Sequence, residues 1–325
     1  MTRTTLQCFK SVRPVWLSTL LAGMLLSLVF EARGATGGSG TFAYTGNLNV
    51  ARYNHTATLL PSGEVLVAGG IPPNSANSLA SAELYNPKTG EWTLTGSTTA
   101  VRTDFTATLL QNGEVLVAGG TDWVINCYTT AERYNPSTGA WTLTGSMTQP
   151  RCDHSATLLP NGEVLVSGGV NSIYDTNTAT VNGAEIYNPA TGTWKATGLN
   201  VSRASRATLL LDNGEVLTTG GFNNTGNGAA NTYLTSAELY NPSTKAWTLT
   251  TSFPGPVGLP APAALLTNGD ALIANFAQLY IPGSATWSAT GPLPTVDFGP
   301  TKAVALANGN VLGTGGECKS TKLYR

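Results

Sequence analysis

The sequence predicts an all-β fold, a wheel of six four-stranded antiparallel sheets, and three observations carry that prediction. First, GEVLVAGG at Gly63–Gly70 returns as GEVLVAGG at Gly113–Gly120, GEVLVSGG at Gly162–Gly169 and GEVLTTGG at Gly214–Gly221, with worn copies from Gly269 and Gly309. Second, a tryptophan runs in phase with it (Trp92, Trp141, Trp194, Trp247 and Trp287), preceded in four copies by YNPxTxxW. Third, each unit of roughly fifty residues holds four short runs rich in Thr, Val, Leu and Trp, the pattern of a six-bladed β-propeller in which every unit is one blade.

The chain opens with Arg3, Lys10 and Arg13, an apolar run from Val15 to Phe30, and small residues around Ala32 and Gly34. That order reads as a secretory signal peptide over residues 1–34, cut after Gly34. An uncleaved anchor is the competing reading, but the run is short for the roughly twenty residues a span requires. No Cys follows it and no twin arginine precedes it, which argues against a lipoprotein and against twin-arginine export. Residues 35–325 then form the propeller, exported to the periplasm or the extracellular space, with no stable membrane span after cleavage.

In the first full repeat, strand a is His55–Leu60, strand b Glu64–Ala68, strand c Ala82–Tyr85 and strand d Trp92–Thr95. Asn-Gly pairs such as Asn112-Gly113 and Asn161-Gly162 predict two-residue type I′ turns between a and b. The Pro and Gly of Tyr134-Asn135-Pro136-Ser137-Thr138-Gly139 reverse the chain between c and d. The double glycine after b lets backbones approach where blades crowd, and the tryptophan fills space between blades.

The ends predict how the wheel closes. Thr41–Gly46 aligns with Glu91–Gly96, a d strand with no a, b or c before it, and the C-terminal Lys322-Leu323-Tyr324 aligns with strand c. The N-terminal strand therefore supplies the fourth strand of the last blade, and closure hides sheet edges that would template aggregation.

Only 11% of residues are charged and the net charge is −1, so there is no basic stripe to neutralise phosphates, and nucleic-acid binding is excluded. Beyond Cys8 of the leader, Cys127, Cys152 and Cys318 remain. Cys127 and Cys152 fall in loops expected on one face, so a disulfide and a pair of unpaired buried thiols both stay open.

The double glycine after strand b, with Tyr and Trp at set spacing in c and d, resembles the kelch repeat across residues 41–325. Repeat five departs from it at Asn275-Phe276, and repeat six has no Trp of its own. The resemblance implies a six- or seven-bladed propeller that binds or scaffolds more often than it catalyses, with contacts made by the b–c and d–a loops. Kelch-like propellers also include copper oxidases acting on galactose and periplasmic sialic-acid mutarotases. Nothing here supplies the two His, two Tyr and Cys–Tyr crosslink of the first, and the acid–base residues of the second find no match by motif.

Four arginines precede strand a (Arg52, Arg102, Arg151, Arg203) and four glutamates sit in strand c of the same repeats (Glu83, Glu132, Glu185, Glu238); both charges vanish together in repeats five and six. This reads as structural Arg–carboxylate pairs, because a buried half-pair is costly. A ring of Arg reading an anionic ligand is the alternative. The start of strand a is expected at the central channel, which places His55, His154 and Arg206 there with Asp104 and Asp153 one residue earlier in their repeats. The tall b–c loops add Trp123, Tyr128, Tyr174 and Tyr233, rings beside amides that suit sugar or peptide recognition. The two His, at equivalent repeat positions a blade apart, do not make a metal set, and no cofactor is expected. Two function classes follow: an exported binding or scaffold module for a protein or glycan, with no catalytic residue, or a carbohydrate-active epimerase or mutarotase using Arg206, Asp104, Asp153 and His154 at the channel mouth.

Overall fold

The computed structural model describes residues 45–324 except 76, 123–126, 173–177, 199–200, 205–206, 227, 256–261, 274–277, 291–301, 307–310 and 315–320. The leader, Thr41–Tyr44, Trp123, Tyr174, Arg206 and Cys318 lie outside the described residues. Among those described, no helix is long and apolar enough to cross a membrane.

The first sheet is β1 (Thr56–Leu59), β2 (Val65–Ala68), β3 (Ala82–Asn86) and β4 (Glu91–Thr95). The second is β5 (Thr106–Leu109), β6 (Val115–Ala118), β7 (Ala131–Asn135) and β8 (Ala140–Leu143); the third is β9 (Ser155–Leu158), β10 (Val164–Ser167), β11 (Ala184–Asn188) and β12 (Thr193–Thr197). The fourth holds β13 (Ala207–Leu210), β14 (Val216–Thr219), β17 (Ala237–Asn241) and β18 (Ala246–Thr250), with a two-stranded hairpin, β15 (Phe222–Asn223) and β16 (Thr232–Tyr233), raised between β14 and β17. The fifth is β19 (Ala263–Leu265), β20 (Ala271–Ile273), β21 (Gln278–Ile281) and β22 (Thr286–Ala289). The sixth has three strands, β23 (Lys302–Ala305), β24 (Val311–Thr314) and β25 (Thr321–Tyr324). Each sheet is an antiparallel meander, and the first strands of successive sheets meet one another. Six such sheets in succession fit a six-bladed propeller.

The burial explains the composition of each strand. β2, β6, β10 and β14 are buried on both faces because each sheet is covered by its neighbours, so they read VLVA, VLVA, VLVS and VLTT without alternation. The outermost strands, such as β4 with its exposed Glu91, Thr93 and Leu94, carry only Trp92 and Thr95 inward. Core clusters span adjacent sheets: Leu60, Leu66, Ala68 and Ala82 of the first pack with Phe105, Val115, Val117 and Tyr134 of the second, and Trp141 closes over them.

The turn between first and second strands differs from the expected type I′. Gly113 N–H donates to the Leu110 carbonyl at 3.0 Å and Leu110 N–H to Glu114 at 2.8 Å, and only the glycine has positive φ, at 85°. This is a type I turn followed by a left-handed glycine. Asn112 contributes its side chain, which accepts the Glu114 N–H at 3.1 Å. That role needs no unusual backbone, so Ser62 replaces it in the first repeat, and the first central position accepts Pro61 and Pro160, as a type I turn allows.

Neighbouring sheets are joined by a recurring clasp. Thr95 Oγ1 meets Tyr134 Oη at 2.8 Å, Gly96 N–H donates to Gly139 O at 3.1 Å, and Trp141 Nε1 donates to Gly96 O at 2.8 Å. Thr144, Gly145, Tyr187, Gly192 and Trp194 repeat it one sheet on. Thr45 and Gly46 make the same bonds to Tyr85, Gly90 and Trp92 of the first sheet. The N-terminal segment therefore stands to the first sheet as the end of β4 stands to the second.

Candidate functional site

The face that carries the loops is built from the buried ion pairs upward. Arg52 Nη2 meets Glu83 Oε1 at 2.7 Å, and Arg102–Glu132, Arg151–Glu185 and Arg203–Glu238 follow at 2.8, 3.1 and 2.7 Å. Each pair lies within one sheet and is fully desolvated. The arginine also donates to carbonyls, as Arg102 Nη1 does to Gly119 O and Thr130 O. The glutamate accepts backbone N–H groups of the incoming loop, Asn49 and Val50 at Glu83 and Thr99 at Glu132. Burial lowers the arginine pKa at Arg52, Arg151 and Arg203, against the raising effect of the carboxylate. Those N–H donors and the guanidinium hold Glu83 below its ordinary value despite the opposing effect of burial. Satisfied on both sides, these charges position loops and are closed to a ligand.

The chain then turns into the first strand of the sheet. Tyr53, Thr103, Cys152 and Ala204 bridge to Ile71, Thr121, Val170 and Phe222, the residues just after each double glycine. This pairing requires close approach: a Cβ on Gly70 would lie 2.5 Å from the Tyr53 carbonyl, and one on Gly69 2.7 Å from the Phe105 ring. It also brings the loops entering each sheet and the loops between its second and third strands to one face.

Asn54, Asp104 and Asp153 follow, at φ of 54°, 53° and 49°. Asp153 N–H donates to the Asp104 carbonyl at 3.2 Å, so the two carboxylates come from adjacent sheets side by side. Burial, and then the charge of Asp153, pushes the Asp104 carboxyl up to about 7. His154 packs at a sheet interface. It is buried between the second and third sheets, where Nε2 meets Thr106 Oγ1 at 2.9 Å and the ring lies against Gly119. Phe105, its repeat equivalent, is a core residue of the preceding interface. His55 occupies the same repeat position, and burial followed by the Arg52 charge lowers its pKa to about 4. No group of three or more His, Cys, Asp or Glu among the described residues forms a metal set.

The loops above are fastened to one another. Cys127 and Cys152 form a disulfide, with Cα atoms 5.4 Å apart, joining the second sheet's loop to the chain entering the third. Cys127 N–H donates to Asn171 O at 3.3 Å. Thr180 N–H donates to Asn224 O at 2.9 Å and Thr180 Oγ1 to Asn223 Oδ1 at 3.1 Å, which ties the third sheet's loop to the fourth's. Cys127, Cys152, Val170 and Ala204 form an apolar cluster under Phe222. Tyr128 lies over the Arg102 guanidinium at 5.5 Å and caps a buried ion pair. Tyr233, on β16, is 51% exposed. Sequence reading named the aromatic residues but missed Thr180 and Asn171 as ties, since no spacing marks a contact between loops of different repeats.

The Kelch motif matches residues 104–148 and 203–254. No curated protein matches the chain. Among solved structures, one titled "Structure of YjhT" aligns with a TM-score of 0.59 at 15% identity, over 86% of this chain and 95% of that one. The chain thus carries the Kelch motif in two of its repeats and shares its fold with the YjhT structure.

Proposed function

We propose that this chain is an exported, non-catalytic binding or scaffold module that takes a glycan or protein ligand on its loop face. The observation that carries the reading is the fastening of three successive loops: a disulfide from the second sheet to the third and the Thr180–Asn224 bonds from the third to the fourth. Ordering these loops in advance lowers the entropic cost of binding. The same reading has residues 41–46 as the fourth strand of the last sheet, supported by the clasp that Thr45 and Gly46 make with Tyr85, Gly90 and Trp92.

Asp104 favours a second reading. A carboxyl raised to about 7 beside another carboxylate is suited to acid–base work on a sugar. A glycan and proteome-wide binding screen, run with an anomer-exchange assay by NMR, separates the two. Binding without turnover upholds the module; turnover that Asp153→Asn abolishes replaces it with the enzyme.

A further inference from the structure

We infer that the raised hairpin β15–β16 is a stacking subsite for a neutral saccharide, with Tyr233 as its platform; the inference rests on the binding-module reading and narrows its ligand class. Phe222 and Tyr233 are directly opposed across the hairpin and so share one face. Phe222 anchors that face at its base on the Cys127, Cys152, Val170 and Ala204 cluster, while Tyr233 stands 51% exposed. The arm that presents it is held in place. Asn224 Nδ2 donates to Asn231 Oδ1 at 2.8 Å and to Ala229 O at 3.0 Å, Asn224 Oδ1 accepts the Gly226 N–H at 2.8 Å, and Leu234 N–H donates to Gly221 O at 2.9 Å.

Asn231 lies two residues before Tyr233, on the same side of the extended arm. Its carbonyl oxygen is engaged by Asn224, so the amide nitrogen is the end left to donate on the side of the arm that carries Tyr233. An aromatic face with an adjacent amide donor is what a pyranose needs: its apolar C–H face covers the ring and its hydroxyls take the amide.

Charge selects the ligand class. Val216–Ala237 contains no charged residue, the loop over 170–183 has only Asp175, and that over 121–130 only Asp122, with no Lys or Arg in any of the three. An anionic sugar would find no counter-charge here. Among the described residues Tyr233 is also the one exposed aromatic ring of this face, set among Asn, Thr and Gly, unlike the contiguous apolar centre of a protein interface.

The test is a glycan array with the purified mature chain, followed by titration of hits against wild type, Tyr233→Ala and Tyr233→Phe, each checked for unchanged thermal unfolding. Tyr233 is exposed, so neither variant threatens the fold. The expected result is binding of neutral glycans, weakened about tenfold or more by Tyr233→Ala and largely retained by Tyr233→Phe, as loss of one stacked ring demands. Glycan binding indifferent to Tyr233→Ala overturns the subsite while leaving the loop face as the binding surface. A preference for anionic glycans, or no glycan bound at all, overturns the ligand class. A protein partner lost on shortening residues 222–236 would then uphold the module alone.

Discussion

Glu132 takes Arg102 Nη2 on Oε1 at 2.8 Å while its Oε2 accepts the Thr99 backbone N–H at 2.8 Å. One buried carboxylate thus ties a guanidinium of its own sheet to the loop arriving from the sheet before.

Removing that carboxylate leaves a buried cation uncompensated, so Glu132→Leu is expected to cost about 3–5 kcal/mol in urea unfolding. In an isolated buried pair, an apolar swap of both partners restores stability. Here Arg102→Met with Glu132→Leu also orphans Gly119 O and Thr99 N, while Thr130 O keeps only the Gly119 N–H. The double variant should remain at least ~2 kcal/mol less stable than wild type. Full recovery in the double variant would show that the pair positions nothing.

The clasp loosens at the seam where lysine takes the place of the turn glycine. Gly90, Gly139 and Gly192 occupy the left-handed turn position where a Cβ would lie 3.2, 3.0 and 2.9 Å from Thr45, Thr95 and Thr144 Oγ1. The fourth sheet has Lys245 there, at φ 57°. Thr197 Oγ1 still donates to the Lys245 carbonyl at 3.3 Å, but Trp247 Nε1 finds no hydrogen-bond partner among the described residues. Lys245→Gly should stabilise the chain by about 1 kcal/mol, since it removes a strained residue and admits one hydrogen bond. The Lys245–Glu163 contact it deletes is long, at 3.7 Å, and half exposed. Slower exchange of the Trp247 indole N–H should accompany the gain, and unchanged exchange would refute the steric account.

Asp104 and His55 oppose each other in pH dependence. The Asp104 carboxyl is raised to about 7, so the folded state binds the extra proton, and stability falls as pH rises from about 4 to 7. The His55 imidazole is lowered to about 4, so the unfolded state binds the extra proton, and stability is lost as pH falls from 6.5 to about 4. Each effect approaches ~1.4 kcal/mol per pH unit within its window. Relative to wild type, Asp104→Asn should gain stability with rising pH over this range and His55→Phe should lose it. Urea midpoints at fixed pH values check this, and curves parallel to wild type would contradict it.

Closure of the wheel is open to a covalent test. If residues 41–46 are the fourth strand of the last sheet, as proposed, the register Leu84↔Thr93 of the first sheet would set Leu323 opposite Ala43. The double variant Ala43→Cys with Leu323→Cys should oxidise within one chain and raise the unfolding midpoint. Two thiols that stay free, or that link only between molecules, would place residues 41–46 elsewhere.

What was legible in the sequence lay inside single repeats. The order of strands, the double glycine and the Tyr–Trp pair follow from patterns a few residues long, which the chain states again in each copy. The matched loss of Arg and Glu in repeats five and six marked charges that need each other. The turn after the first strand was misread because Asn-Gly satisfies two turn types, and only the hydrogen bond from Gly113 to Leu110 decides between them.

By itself the sequence determined the repeating four-strand pattern and its turns, since local patterning dictates which short segments become buried strands. The tertiary structure alone decided how one sheet meets the next. It turned His154 into an interface, set Asp104 beside Asp153, opened the seam at Lys245 and tied Thr180 to Asn224. The rotation between packed sheets governs such contacts, and it arises from the sum of many side chains meeting across an interface, which no single repeat encodes.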